Sequence, residues 1–328
     1  MKSASKTSVA ESHAAGDLLA ADMAAVETAI QEAIRSRETR LTEIASYLIG
    51  AGGKRIRPLV AMSVFRACGG EDPRDMIELG AALELIHSAT LLHDDIIDEG
   101  EIRRGRASAY CKFGPADTLV AGDFLFSKAF QICGRFEESI VRWASEACIA
   151  LTEGEIMQAR LRRNAAVSVA DYEEIIRRKT ACLFRAGARI AARLAGSDRS
   201  RIEVLGRCGE SIGMAFQLVD DLLDVVGDPS RTGKPVGIDL RDGNPSLPIV
   251  LALPRSPALV AVWRRADPTE ADVSAGLAEI VSSGAVERVR KEAIAHTESA
   301  AGSLASLPPT PYRDFLETLI AELRDRAY

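Results

Sequence analysis

"LLHDDIIDEG", residues 91–100, sets Asp94, Asp95 and Asp98 among paired leucines and isoleucines. It closes a longer run, "DMIELGAALELIHSATLLHDDIID" (75–98), whose apolar residues recur at spacings of three and four. That is the period of an α-helix. The same pattern holds along most of the chain: alanine, leucine, glutamate and arginine dominate, and alternating Val/Ile/Thr runs are scarce. The expected fold is therefore all-α, built of many long helices. Asp72-Pro73 predicts an N-cap followed by proline at the first helical position of a helix running to Gly100. Ser168 to Asp171 predicts a capping box, and Thr310-Pro311 the start of a last helix.

On such a helix Asp94 and Asp98 share a face, while Asp95 lies about 100° round the axis. Carboxylates at a helix C-terminus oppose the macrodipole and repel one another, so a cation is expected beside them. One acidic cluster alone reads as a solvated turn. "FQLVDDLLDVVGD" (216–228) repeats it with Asp220, Asp221 and Asp224, again inside an apolar helical run. Ligands that are all oxygen select a hard cation, and Mg²⁺ characteristically joins a few carboxylates to substrate phosphates. Mg²⁺ held between two facing helices is the expectation.

Diphosphate also needs cations from the protein. "GGKRIRP" (52–58) offers Lys54, Arg55 and Arg57 in a glycine-rich turn ahead of a helix. "IRRGR" (102–106) places Arg103 and Arg104 just past the first acidic cluster, "RRKT" (177–180) contains Lys179 and Thr180, and "RTGKP" (231–235) contains Lys234.

Composition bounds the rest. The 328 residues, 47% apolar and 27% charged, suit a globular protein, and a net charge of -6 argues against non-specific nucleic-acid binding. Six scattered cysteines without C-x-x-C spacing predict reduced thiols and a cytoplasmic location. The longest apolar runs, such as "IVLAL" (249–253), are far too short for a transmembrane span. Residues 1–15, small and polar, read as a disordered tail, and residues 16–328 as one domain without a linker.

The ordered set GKRIRP, HxxxxxHDDIIDE followed by RRG, GDFLFSKAF, GExxQ, KTAxLF, FQLVDDLLD, GKPVGxDL and NPSLP spans residues from about 50 to 254. It resembles the trans-isoprenyl diphosphate synthases, in particular their long-chain polyprenyl branch. The resemblance implies a homodimer of isoprenoid-synthase-type helix bundles, each around a central cavity. It further implies successive head-to-tail additions of isopentenyl diphosphate to an allylic diphosphate. Three Mg²⁺ ions would be held by Asp94, Asp98 and Asp220, with Asp95, Asp221 and Asp224 as further ligands or as supports of the ligands. Arg103, Lys179 and Lys234 would hold the allylic diphosphate, with Thr180 and Gln217 near the reacting carbon. Lys54, Arg57, His87 and Arg104 would hold isopentenyl diphosphate, and released pyrophosphate would take the proton. Asp94, Asp98, Asp220, Lys179 and Arg103 form the expected catalytic set.

Many relatives carry lysine where this chain has Asn244; Arg241 is a candidate substitute, and Asp239 a candidate partner for Lys234. On the first motif helix, Ala89 and Thr90 lie about one turn before Asp94, with Leu85, Ile86 and Ala82 beyond. Small Ala89 is expected to leave room for a long tail, with Cys133 and Ser145 near its floor. The product expected is of octaprenyl-to-decaprenyl length, a quinone side chain passed to the membrane. A shorter-chain synthase, a non-catalytic subunit and a class I terpene cyclase are the alternatives. A cyclase usually carries an NSE/DTE-type second motif rather than DDLLD, and a non-catalytic subunit tends to lose the charged residues retained here. An HD-type phosphohydrolase lacks its upstream histidine, since only His13 precedes His87; His93 is read as a structural neighbour of the motif.

Overall fold

The computed structural model describes residues 9–228 and 236–327, with side chains from Gly16 onward. The run that opens the sequence argument forms α4, Arg74–Ile97. Pro73 occupies the N-cap rather than the first helical position, and the Asp72 carboxylate accepts from the Arg74 N–H at 3.2 Å. The cap thus lies one residue later than expected. The helix ends in a Schellman arrangement: Gly100 N–H donates to the Asp95 carbonyl (2.9 Å) and Glu99 N–H to the Ile96 carbonyl (3.3 Å). Glu99, not Gly100, takes the left-handed conformation, with φ 48°. Beyond it Ile102–Arg103 and Arg106–Ala107 pair as a two-residue antiparallel hairpin (β1, β2). Its turn residues, Arg104 (φ 53°) and Gly105 (φ 77°), are both left-handed, which matches the twist of a tight hairpin. Among the described residues this ribbon is the only strand pairing.

The chain divides into two compact units that interleave in sequence. The first takes residues up to Glu146, Ala186–Gly206 and Leu304–Glu317; the second takes Ala147–Arg185, Arg207–Ser303 and the chain from Thr318. Breaks after Glu146, Arg185 and Gly206 fall inside α7 (Glu138–Leu161), α9 (Cys182–Leu194) and α10 (Arg199–Val226). No linker composition marks them, which is why the sequence reads as one domain.

In the first unit α4 packs chiefly on α6 (Pro115–Cys133), α1 (Val9–Ala33) and α3 (Ile56–Ala67). It is buried on nearly every side from Leu79 to Ile86, as expected of a helix apolar all round. Gly80 permits close approach: a Cβ there would stand 3.3 Å from Val26. Asp22 and Arg66, both buried, pair bidentately at 2.8 and 2.9 Å. Helix α1 begins at Val9, inside the segment expected to be a disordered tail. "VAESHAA" has no glycine or proline to stop a helix. The second unit centres on Tyr172, Leu218, Leu222, Leu247, Leu259 and Trp263, each at most 2% exposed. The capping box at Ser168 and Asp171 and the last helix from Pro311 form as expected. No described helix is long and apolar enough to cross a membrane.

Candidate active site

Within the first unit, the motif on α4 splits by exposure. Asp98 is exposed and Asp94 half-buried, whereas Asp95 is fully buried. Asp95 accepts from Arg103 at 2.8 and 2.6 Å, tying the hairpin to the end of α4. Burial pushes the Asp95 carboxyl up, and Arg103 opposes the rise. Of the two roles open to Asp95, ligand or support, this geometry favours support. Arg103, expected on the allylic diphosphate, is held here by that carboxylate.

The basic cluster of the first unit gathers around His87. Burial, then the charges of Arg57, Arg104, Arg103 and Arg55, hold the half-buried imidazole well below its ordinary pKa. Arg57 and Arg104 thus lie near enough for His87 to feel their charge. Lys54 is exposed in the turn before α3. Arg55 is committed elsewhere: it caps α3 with φ 46° and pairs with Glu27 (2.9 Å) and buried Glu84 (2.8 Å). Gly53 lets the backbone meet the Arg104 guanidinium, since a Cβ there would lie 3.1 Å from it. His93 packs against Gly122 of α6, where a Cβ would stand 2.2 Å from Nε2, and its ring is 5.9 Å from that of Phe126. It is a structural neighbour of the motif.

The stripe of α4 that is not fully covered runs through His87, Thr90, Leu91, Asp94 and Asp98. Ala89 is 0% exposed, and Ala82, Leu85 and Ile86 are also buried. Ala89 therefore does not stand on the accessible face expected of it: the rotation of about 100° per residue turns it toward the packed side, and Thr90 takes its place. Cys133 is buried, and the Ser145 hydroxyl donates to the Arg142 carbonyl at 2.8 Å.

Within the second unit the motif lies near the end of α10. Asp220 is exposed; Asp221 is 3% exposed and accepts from three protein donors. Tyr172 O–H (2.6 Å) and Leu247 N–H (3.0 Å) donate to Oδ2, and Gln217 Nε2 (3.0 Å) donates to Oδ1. Gln217 Oε1 in turn accepts from the Thr180 hydroxyl at 2.9 Å. Burial pushes Asp221 up to about 7, against the pull of those donors. Asp224 accepts from the N–H groups of Ile238 (3.0 Å) and Asp239 (3.1 Å), capping the short helix Ile238–Asp242. Asp224 and Asp221 thereby fasten Ile238–Asp239 and Leu247, respectively, to α10. Asp239 is pushed well above the ordinary carboxylate range by burial and by Asp224, Asp221, Asp220 and Asp242.

Lys179 stands on a π-helical turn, Arg177–Ala181, a form often found at functional positions. It pairs with Glu155 of α7. Gly154 makes the approach possible, since a Cβ there would lie 2.9 Å from the Lys179 backbone nitrogen. Asn244 accepts from Gln158 at 3.2 Å, and Arg241 pairs with the exposed Glu270 at 2.6 Å. Lys234 lies outside the described residues, as does any pairing with Asp239. Tyr172 and Arg163 have no signal in the sequence: one is an aromatic in an apolar helix, the other part of a basic run. Arg163 clamps the end of helix Ile238–Asp242 through the carbonyls of Arg241 (2.5 Å) and Ala266 (3.0 Å).

Taken unit by unit, the acids offer a hard divalent cation oxygen donors only: Asp94 and Asp98 reach the surface in the first unit and Asp220 in the second, where the repulsion among Asp220, Asp221, Asp224 and Asp239 is of the kind a cation relieves.

A family model described as Polyprenyl synthetase matches residues 38–280. The chain is 36% identical over 317 residues to the octaprenyl diphosphate synthase of Escherichia coli K12, covering 94% of this chain and 98% of that protein. The crystal structure of a decaprenyl diphosphate synthase from Rhodobacter capsulatus superposes with a TM-score of 0.89 at 34% identity, covering 97% of this chain and 99% of that one. A polyprenyl synthase from Caulobacter crescentus, complexed with calcium and isoprenyl diphosphate, gives 0.88 at 36% identity, covering 95% of each chain.

Proposed function

The chain belongs to the polyprenyl synthetase family and is a prenyltransferase, and from that premise we propose a long-chain polyprenyl diphosphate synthase acting on isopentenyl diphosphate and an allylic primer. One observation carries the site assignment: in both aspartate motifs the leading carboxylate reaches outward while the second is buried on protein donors. Asp94, Asp98 and Asp220 are then the residues to hold Mg²⁺, with Asp95, Asp221 and Asp224 supporting them. Bound divalent cations would neutralise the diphosphate leaving group.

Lys179 and Arg103, with Lys234, hold the allylic diphosphate; each described cation now sits on a carboxylate that the substrate's oxygens replace. Arg57, Arg104, Lys54 and neutral His87 orient isopentenyl diphosphate, and Thr180 and Gln217 stand by the reacting carbon. The allylic C–O bond breaks with its electrons going to diphosphate, and the isopentenyl double bond attacks the cation to form the new C–C bond. A proton then leaves to pyrophosphate and restores a double bond. No side-chain base is needed.

A homodimer is supported by Leu119, Val120 and Phe130 of α6, large apolar residues that are 38–53% exposed in the single chain. A cytoplasmic location and delivery of a quinone side chain to the membrane follow the cysteine pattern and the long-chain likeness. The deciding experiment incubates the pure protein with labelled isopentenyl diphosphate, an allylic primer and Mg²⁺. Long linear products are expected, and they must vanish in EDTA. Cyclised hydrocarbon, or no product without a second protein, would overturn the proposal.

A further inference from the structure

The hydrogen bonds around Asp221 have a direction. A glutamine amide has two ends of nearly equal shape but opposite hydrogen-bonding role. Both oxygens of Asp221 accept here, so Oδ1 takes the NH₂ end of Gln217 and leaves Oε1 to accept from Thr180. The Thr180 hydrogen is thereby committed to Gln217, and its oxygen keeps lone pairs for a positive centre. What holds Asp221 in this pose is the pair of donors on Oδ2, the Leu247 N–H and the Tyr172 O–H, the latter on a side chain 1% exposed. Tyr172 touches none of the proposed substrate-binding groups directly in this chain of bonds.

We propose that Tyr172 is a positioning residue for the allylic half of the reaction: its O–H anchors Asp221, which fixes the Gln217 amide and thus the polarity of the Thr180 hydroxyl. The proposal rests on the placement of Thr180 and Gln217 beside the reacting carbon. Tyr172→Phe keeps the ring in its pocket and removes the single donor. Turnover is expected to fall about tenfold, the scale of one hydrogen bond to a charged group, with little change in the KM for isopentenyl diphosphate. In a Gln217→Leu background the same substitution should cost nothing further, because the relay is already cut. A purely structural role would instead lower turnover by the same factor in both backgrounds.

Turnover of Tyr172→Phe within twofold of wild type, or losses that multiply, would overturn the assignment. A Tyr172→Phe chain that does not fold would show that the hydroxyl serves the fold itself and would likewise overturn the assignment. If Thr180→Val and Gln217→Leu themselves retain full turnover, the placement beneath the proposal fails and Tyr172 falls with it. If those two lose activity and Tyr172→Phe does not, the assignment of Tyr172 alone is wrong.

Discussion

Two aspartates that adjoin in sequence do opposite work in each motif. Asp94 and Asp220 reach outward, whereas Asp95 and Asp221 are buried and bonded to Arg103 and to Tyr172, Gln217 and Leu247. Replacing an outward carboxylate relieves repulsion, so Asp94→Ala and Asp220→Ala should lower turnover by orders of magnitude while the Tm holds or rises. Replacing a buried one orphans its donors, so Asp95→Ala and Asp221→Ala should each lose about 1–3 kcal/mol in urea titrations. Equal stability of all four variants would contradict the division. The doublets were legible in the sequence, but the division was only half so: helical rotation separates Asp94 from Asp95 by angle, and only the hairpin and Tyr172 show which side is covered. His87 adds a dependence on pH. Its pKa is depressed in the fold, so below its ordinary value of 6.5 the unfolded chain takes up a proton that the folded chain does not. Stability from this group is therefore present above that value and lost as pH falls, by at most about 1.4 kcal/mol per unit. His87→Gln should flatten the difference in urea midpoint between pH 7.5 and 5.5; an unchanged slope would remove His87 as its source.

Among the elements, the π turn at Arg177–Ala181 is held against α7 by the absence of a side chain at Gly154. Gly154→Ala must push back the Lys179 backbone, and in a packed setting that costs about 1–3 kcal/mol. The KM for the allylic substrate should rise while that for isopentenyl diphosphate stays, since Lys179 moves and Arg57 does not; steady-state kinetics with each substrate varied will show it. The π turn was not readable from "RRKT", whose local composition suits any helical register. Helix α4 itself was readable from periodicity alone, to within a residue at its start. Its faces were not. Ala89 was expected along the tail's path, yet it is packed, while Thr90 lies on the accessible stripe with Asp94. Thr90→Phe should accordingly shorten the product toward farnesyl or geranylgeranyl length with primer use retained. Ala89→Phe should instead overpack the helix and lower the Tm. Chromatography of dephosphorylated products separates the cases, and long products from a well-folded Thr90→Phe variant would show that this stripe does not carry the tail.

For the whole molecule, the all-α fold followed from periodicity, but the two units did not, because their limits fall inside helices where composition does not change. The surface raises a question of assembly that the single chain answers in part. On α6, Thr118, Ala121, Gly122, Leu125 and Ala129 are buried, while Leu119, Val120 and Phe130 are 49%, 53% and 38% exposed. Large apolar side chains left in water on one helix, here beside exposed Asp123 and Ser127, are the kind of residue a protein contact covers. A second copy of the chain is the partner to test first, because most soluble oligomers are symmetric homo-oligomers in which one face meets its own copy. Val120→Glu combined with Phe130→Glu places charges where two copies would meet and leaves the inner face untouched. Light scattering coupled to size exclusion should report about twice the chain mass of 35.2 kDa for wild type and the single-chain mass for the variant. Wild type that elutes as a monomer, or a variant that remains dimeric, would show that this face of α6 is not the contact.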